Sequence, residues 1–130
     1  MTKLNYITVG TNRLDEAKSF YDVLLGSIGM NKLYDLPDDG ARIYGEFATA
    51  AFGVMRPYDG GAATPGNGAM CGFHLDGPDQ VAAFHALALE LGGSCEGPPG
   101  ERGSDGSGYY FAYVRDLDGN KLCAYHVREG

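Results

Sequence analysis

The sequence has few cysteines, few basic residues and no long apolar run. The three cysteines, Cys71, Cys95 and Cys123, are an odd number without a Cys-x-x-Cys pair, which favours reduced thiols over a disulfide framework. No apolar segment approaches the roughly 20 residues that span a bilayer. The chain runs from Met1 directly into a strand-like segment, without the pattern of a signal peptide. We therefore expect a cytoplasmic protein with no membrane partner.

Basic residues are outnumbered by acidic ones. Ten Lys and Arg against 17 Asp and Glu give a formal net charge of −7, so nucleic acid is not an expected partner. Glycine, in contrast, is plentiful, with 21 in 130 residues, about twice the average frequency. Because the glycines are scattered at turns, they favour many short strands over long helices. A chain of this length is expected to form one domain with a hydrophobic core.

The first half of the chain reads as a strand, a helix and three strands. The strand covers residues 6–9, and an amphipathic helix follows from Leu14 to about Leu25. Asn12 is the predicted N-cap of this helix, and Asp15 completes a capping box. The three further strands are predicted at residues 31–36, 42–47 and 51–55.

The second half repeats this order after a linker rich in glycine, alanine and proline. A strand is predicted over residues 70–75, and Pro78 opens a helix at a position that proline tolerates. A short strand and turn over residues 94–100 and a polar glycine-rich loop come next. The chain ends in a hairpin of two strands, residues 109–115 and 121–127, around the strong turn signal Asp118-Gly119.

The two halves align with each other at an offset of 64 residues, which pairs Val9 with Phe73 and Phe20 with Phe84. Chance repetition of a helix and strands is one explanation of the offset, and an internal duplication is the other. Duplication predicts an α+β fold in which two tandem βαβββ modules form a curved, cupped mixed sheet with helices on its outer face. Module one would cover about residues 3–58, the linker 59–67 and module two about 68–128.

Three motifs resemble those of the vicinal oxygen chelate superfamily, which includes glyoxalase I, extradiol dioxygenases, and fosfomycin and bleomycin resistance proteins. Residues 6–21 resemble the opening strand and helix of that family. Residues 66–73 resemble its G-N-G-x-H-Φ-A-F motif, and residues 108–122 its Y-Y-x-A-F-Φ-x-D-P-D-G-N-K-Φ motif, where Φ is apolar. The resemblance implies the cupped fold, a small-molecule ligand and, for a chain of this size, a homodimer.

The family binds a divalent metal through His or Gln on the first strand, Glu on the fourth, His on the fifth and Glu on the eighth. The resemblance places Tyr6, Gly53, Met70 and Cys123 at these positions. Because none of them is an ordinary ligand of a hard divalent cation, we expect no metal cofactor. The alternative is a lactoylglutathione lyase-like enzyme or dioxygenase whose ligands are displaced, with Glu46 as the nearest carboxylate and Zn²⁺, Ni²⁺, Mn²⁺ or Fe²⁺ as the metal.

Strand alternation predicts what lines a cup without metal. If Cys123 faces inward, Tyr125 does too, and residues 111 and 113 share that face across the hairpin. The predicted lining consists of Tyr6, Met70, His74, Phe111, Tyr113, Cys123 and Tyr125. Aromatic rings with hydroxyl groups suit a planar or amphipathic ligand. The alternative is that the tyrosines only fill the space of a lost metal site.

Whether the protein is an enzyme stays open from the sequence. His74, Tyr113 and Cys123 are the candidate catalytic residues, although a buried, unreactive cysteine is the alternative for Cys123. His126 is predicted to point away from Cys123. His85 lies at the edge of the apolar stripe of the second helix and is predicted to meet solvent. The net negative charge is a weak indication of a cationic ligand of the bleomycin type.

Overall fold

The computed structural model describes residues 1–37 and 40–128, and its contacts divide the chain into two units, residues 1–65 and residues 66–130. Each unit contains a strand, a helix and three more strands in that order. The protein is therefore an α+β protein with two tandem βαβββ modules, as the sequence predicts. The boundary between the units falls inside the predicted linker.

Unit one contains one helix and a four-stranded sheet in the order β1-β4-β3-β2. Strands β1 and β4 are parallel, and the other pairs are antiparallel. Its elements are β1 (Tyr6–Gly10), α1 (Leu14–Gly26), β2 (Lys32–Leu36), β3 (Ala41–Glu46) and β4 (Ala50–Met55). The bounds differ from the predicted ones by a residue or two at most.

Unit two has the same topology, with the sheet order β5-β8-β7-β6 and a parallel pair formed by its first and last strands. Its elements are β5 (Cys71–His74), α2 (Pro78–Glu90), β6 (Ser94–Glu101), β7 (Tyr109–Arg115) and β8 (Lys121–Val127). Because the two units repeat strand order as well as element order, the offset in the sequence reflects a repeated module. That the two sheets form a single cup stays a prediction.

In each unit the helix packs on one face of the sheet. The ring of Tyr21 in α1 lies 4.9 Å from that of Phe52 in β4, and both side chains are almost fully buried. In unit two, Phe84 of α2 packs on Phe73 of β5 with ring centroids 5.7 Å apart. Burial of these large side chains provides the main favourable contribution to folding of each unit. The helix of each unit therefore leaves the opposite face of its sheet uncovered.

The start of α1 differs from the prediction. Arg13 occupies the N-cap position, and no side chain of the described residues caps it. Asn12 instead forms two hydrogen bonds with the backbone of Ala63, donating from Nδ2 to the carbonyl and accepting the amide proton at Oδ1. The capping prediction was wrong because these partners lie 51 residues away in sequence, where local patterns carry no information.

The hairpin at the end of the chain forms as predicted. Gly119 adopts a positive φ of 89° in the turn, a conformation that glycine adopts without strain. The buried carboxylate of Asp116 accepts hydrogen bonds from the backbone amides of Asp118 and Asn120 and from the Asn120 side chain, each 2.9 Å long. The polar residues of the motif therefore hold the turn, and this fixes the register of β7 and β8.

Neither helix of residues 1–37 and 40–128 is long and apolar enough to cross a membrane.

Candidate functional site

Three aromatic rings lie in a row on the face of the unit-two sheet opposite α2. Phe111 is paired with Tyr125 across the β7–β8 hairpin, and Tyr113 is two residues further along β7. The Phe111 ring is stacked on Tyr125 with centroids 5.1 Å apart, and on Tyr113 with centroids 6.0 Å apart. The planes differ by only 12° and 18°. We call these three partly exposed rings, Tyr113, Phe111 and Tyr125, the aromatic ladder.

His74 of β5 lies at the Tyr125 end of the aromatic ladder. Its ring is edge-on to that of Tyr125, with centroids 5.2 Å apart. His126 is the other imidazole nearby, and its Nδ1 donates a hydrogen bond to the carbonyl of Leu75 over 2.9 Å, since a carbonyl can only accept. His74 is thus the exposed imidazole at this end, and His126 is held by the backbone.

Two cations lie at the Tyr113 end of the aromatic ladder. The Arg102 guanidinium carbon is 5.4 Å from the Tyr113 ring centroid, and the Lys121 ammonium nitrogen is 5.1 Å from it. These distances are in the range of cation–π contacts. Gly97 of β6 makes the approach of Arg102 possible, because a Cβ there would lie 2.8 Å from the Tyr113 ring and 3.3 Å from the guanidinium.

A third cation on this face, Arg115, is neutralised. Its guanidinium forms an ion pair with the Glu96 carboxylate and donates a hydrogen bond to the carbonyl of Gly119. The hydrogen bond and charge of Arg115 lower the pKa of Glu96, which therefore stays ionised at neutral pH. Arg115 thus joins β6 to the hairpin turn and has no free charge to offer a ligand.

Cys123 lies on the ladder face but is only 2% exposed. Burial raises the pKa of its thiol, while the positive charge of Lys121 and a backbone hydrogen bond act in the opposite direction. Cys71 is on the neighbouring strand, and burial, together with the Cys123 thiol, raises its pKa to about 12. The thiolate form that a nucleophile requires is therefore disfavoured at both positions.

The remaining two residues of the predicted lining are Met70 and Tyr6, for which the structure shows no contact with the aromatic ladder within the described residues. Met70 directly precedes β5 and is exposed. Tyr6 belongs to β1 of unit one, where its ring is edge-on to Phe47 with centroids 5.4 Å apart. The structure thus groups five of the seven predicted lining residues on one face of unit two. Their role in binding stays a prediction.

The similarity to known proteins covers almost the whole chain. A family model described as the Glyoxalase/Bleomycin resistance protein/Dioxygenase superfamily matches residues 3–124. The chain belongs to this superfamily. Comparison with curated proteins gives no match.

Solved structures of the superfamily share the fold. A glyoxalase/bleomycin resistance protein from Albidiferax ferrireducens T118 is 40% identical, with a TM-score of 0.83 over 98% of this chain and 100% of that one. Lactoylglutathione lyase from Agrobacterium tumefaciens is 16% identical, with a TM-score of 0.66 over 97% and 94% of the two chains. A fosfomycin resistance protein from Listeria monocytogenes is 13% identical, with a TM-score of 0.69 over 97% and 93%. Because the last two structures have such low sequence identity to this chain, their similarity shows only a shared fold.

The superfamily metal positions of unit one do not suit a metal ion. At Gly53, the position of the fourth-strand ligand, a Cβ would lie 2.9 Å from the Ile43 side chain and 3.2 Å from that of Thr8. Two apolar groups therefore occupy the space in which a ligand side chain would start. The register also places Glu46 on the side of Tyr44, which packs on α1, so Glu46 is not a substitute ligand for this face.

The metal positions of unit two offer one thioether and one buried thiol, Met70 and Cys123. Neither is a preferred ligand of Mn²⁺ or another hard cation, and one thiol with no His or carboxylate beside it makes a poor zinc site. Within the described part of the chain, no three His, Cys, Asp or Glu residues are grouped closely enough to hold a metal ion. The donor set of this chain thus does not fit the metal of the superfamily.

Two features of unit two were not predicted correctly from the sequence. Arg102 and Lys121 were not singled out, although alternation along β8 places Lys121 on the face of Cys123 and Tyr125. Arg102 follows β6 and gives no such signal. His85 is buried rather than exposed to solvent, and its Nε2 lies 3.2 Å from the Cys95 sulfur, which belongs to the neighbouring strand β6.

Proposed function

We propose that this superfamily member binds a small planar molecule on the aromatic ladder, without the divalent metal that the resemblance implies for its relatives. The observation that carries the proposal is the row of nearly parallel rings on the sheet face opposite α2. Because the rings are stacked on one another, a flat ligand would lie across their exposed edges in edge-to-face contact, and the Tyr hydroxyls supply polar contacts. Reduced thiols and the soluble composition favour a cytoplasmic location.

The proposal is one of binding rather than of catalysis. The two buried thiols of this sheet have raised pKa values, so nucleophilic chemistry at Cys123 is disfavoured. His74 and Tyr113 lie at opposite ends of the aromatic ladder and are the remaining candidates for proton transfer. A lyase or dioxygenase that uses a metal would need ligands other than Tyr6, Gly53, Met70 and Cys123.

Titration with 2-naphthol in the presence of EDTA tests binding, with NMR chemical shifts of the aromatic side chains as the readout. We expect the largest shifts at Phe111, Tyr113 and Tyr125. Tyr125→Leu should weaken binding by roughly three- to tenfold, because one aromatic contact of about 0.5–1.5 kcal/mol is lost. Tyr58→Leu, at a fully exposed position in unit one, is the matched control and should bind as the wild type does. Saturable binding that Tyr125→Leu leaves unchanged would refute the proposed location.

Elemental analysis and thermal unfolding test the metal. Protein purified without a chelator should contain no stoichiometric metal, and its melting temperature should not rise with Ni²⁺, Zn²⁺, Mn²⁺ or Fe²⁺, since a ligand stabilises a protein only if it binds the folded state. A bound metal at one equivalent, with a rise in melting temperature, would instead favour a metal-dependent lyase or dioxygenase.

A further inference from the structure

The Tyr113 end of the aromatic ladder is locally cationic in a protein whose net charge is −7. Arg102 and Lys121 both lie within 5.4 Å of the Tyr113 ring centroid. Like charges repel, so two cations around one ring are stabilised either by carboxylates of the protein or by an anion that binds beside them. What surrounds the two cations therefore indicates what the site can accept.

The nearby carboxylates are engaged with other partners. Glu96 is paired with Arg115, whose hydrogen bond is the largest cause of its lowered pKa, whereas the charge of Lys121 is the smallest. Glu101 accepts a hydrogen bond from the backbone amide of Gly106. Across residues 1–37 and 40–128, no carboxylate forms an ion pair with Arg102 or Lys121. The positive charge beside Tyr113 is thus not neutralised by this part of the protein.

Arg102 is held in place by uncharged groups. Its guanidinium donates hydrogen bonds to the carbonyls of Pro98 and Gly100, 2.7 and 3.0 Å long. These bonds fix the orientation of the side chain without cancelling its charge. A cation positioned in advance beside an aromatic surface binds an anion at a lower entropic cost than a mobile one.

From this juxtaposition we infer that the ligand of the aromatic ladder is a planar anion, such as an aromatic carboxylate. Its flat body lies across the exposed edges of Phe111 and Tyr125, and its acidic group lies at the Tyr113 end, near Arg102 and Lys121. This inference rests on the proposed function, since it concerns the same surface. It also replaces the weak indication of a cationic ligand that the overall charge gives.

A matched pair of probes tests the charge preference. The carboxylate 2-naphthoate and the neutral 2-naphthalenemethanol share one ring system and differ mainly in charge. Isothermal titration at low salt should show that 2-naphthoate binds more tightly. Lys121→Gln should weaken the binding of 2-naphthoate by about three- to fivefold, the range of one partly exposed ion pair. It should leave the affinity for 2-naphthalenemethanol unchanged. High salt should reduce the difference between the probes.

Lys3→Gln is the control, because it changes the net charge of the protein equally but lies in unit one at an exposed position. It should leave both affinities unchanged. Arg102→Gln is the second variant. Its thermal unfolding is measured as well, because the variant also loses the hydrogen bonds that Arg102 donates to backbone carbonyls. Equal affinities for the two probes, or an equal effect of Lys3→Gln, would overturn the inference while leaving the binding surface intact. Failure of both probes to bind would count against the proposed function itself.

Discussion

At the scale of single residues, the three thiols differ in their surroundings. Cys95 is exposed, and its sulfur contacts the Nε2 atom of His85. Burial lowers the pKa of His85, so this imidazole is neutral at physiological pH, and in the tautomer with the proton on Nδ1 its Nε2 accepts a hydrogen bond from the Cys95 thiol. Cys71 and Cys123 are buried, with raised pKa values. Their chemistry should therefore differ clearly from that of Cys95.

Alkylation with iodoacetamide under native conditions should modify Cys95 first. Burial raises the pKa of Cys71 to about 12, so near pH 8 far less of it is thiolate than of a free thiol. Mass spectrometry of peptides from a time course gives the rate for each cysteine. Cys95→Ser should remain unmodified until denaturant is added. Early modification of Cys123 would show that its sulfur is accessible and reactive, and would restore it as a candidate nucleophile.

Residue-level predictions succeeded where they depended on strand alternation. Phe111, Tyr113, Cys123 and Tyr125 share a face because the hairpin register follows from a turn that is local in sequence. The burial of His85 could not be predicted in this way. It depends on the neighbouring strand β6, whose pairing with β7 contains two register shifts that the sequence does not reveal.

At the scale of secondary-structure elements, the turn between β7 and β8 depends on one carboxylate. Asp116→Ala removes the acceptor of three hydrogen bonds in a buried site, which should reduce the free energy of unfolding by about 2–4 kcal/mol. Urea unfolding followed by circular dichroism measures this loss. Asp116→Asn keeps one oxygen acceptor and should lose less. A loss of equal size in the two variants would mean that the charge, rather than the hydrogen bonds, holds the turn.

Strands β2 and β3 and helix α1 are joined by a charged network around Arg42. Its guanidinium binds both oxygens of Asp35 in β2, over 2.8 and 3.1 Å, and the carboxylate of Asp22 in α1. The hydroxyl of Tyr44 donates to Asp22 over 2.7 Å. The hydrogen bond from Arg42 is the main reason that the pKa of Asp35 lies well below its ordinary value, with Lys32 acting in the same direction.

This network should make the stability of the protein sensitive to acid. The folded-state pKa of Asp35 is depressed, so its contribution is complete above the unfolded value of about 4 and is lost as pH falls toward the folded value. Because Asp35 is partly exposed, we expect Asp35→Asn to cost about 1 kcal/mol or less at neutral pH. The difference from the wild type should shrink as urea unfolding is repeated at lower pH. Asp105→Asn, at an exposed loop position, should show no such trend.

Element bounds could be read from the sequence more reliably than the contacts that hold them. Both strands of the last hairpin were predicted to the residue, because Asp118-Gly119 and the alternation on each side agree. Strand β6 is longer than predicted, since Pro98 within it argues locally against a strand, while pairing with β7 stabilises it. The N-cap of α1 could not be predicted, because the partner of Asn12 is distant in sequence.

At the scale of the whole molecule, the repeated topology allows the corresponding faces of the two sheets to be compared. Both sheets leave one face free of their own helix, but only unit two carries the aromatic ladder and its two cations in the described residues. In unit one, a Cβ at Gly53 would lie 2.9 Å from the Ile43 side chain and 3.2 Å from that of Thr8, and the rings of Tyr6, Phe47 and Tyr34 form a cluster without a stacked row among the residues that the structure describes. We therefore expect binding of planar anions to involve unit two, with unit one contributing mainly stability.

The homodimer that the superfamily resemblance implies is a prediction about the whole chain. Light scattering after size-exclusion chromatography at micromolar concentration should give twice the monomer mass of 13.8 kDa. Each chain carries a net charge of −7, so a dimer would carry 2 × −7 = −14, and repulsion should oppose association at low salt. Since salt screens this repulsion, dilution series should show a lower dissociation constant as ionic strength rises. A monomer mass at every salt concentration would refute the dimer, and a dimer that weakens with salt would show that complementary charges, rather than apolar contacts, hold the two chains together.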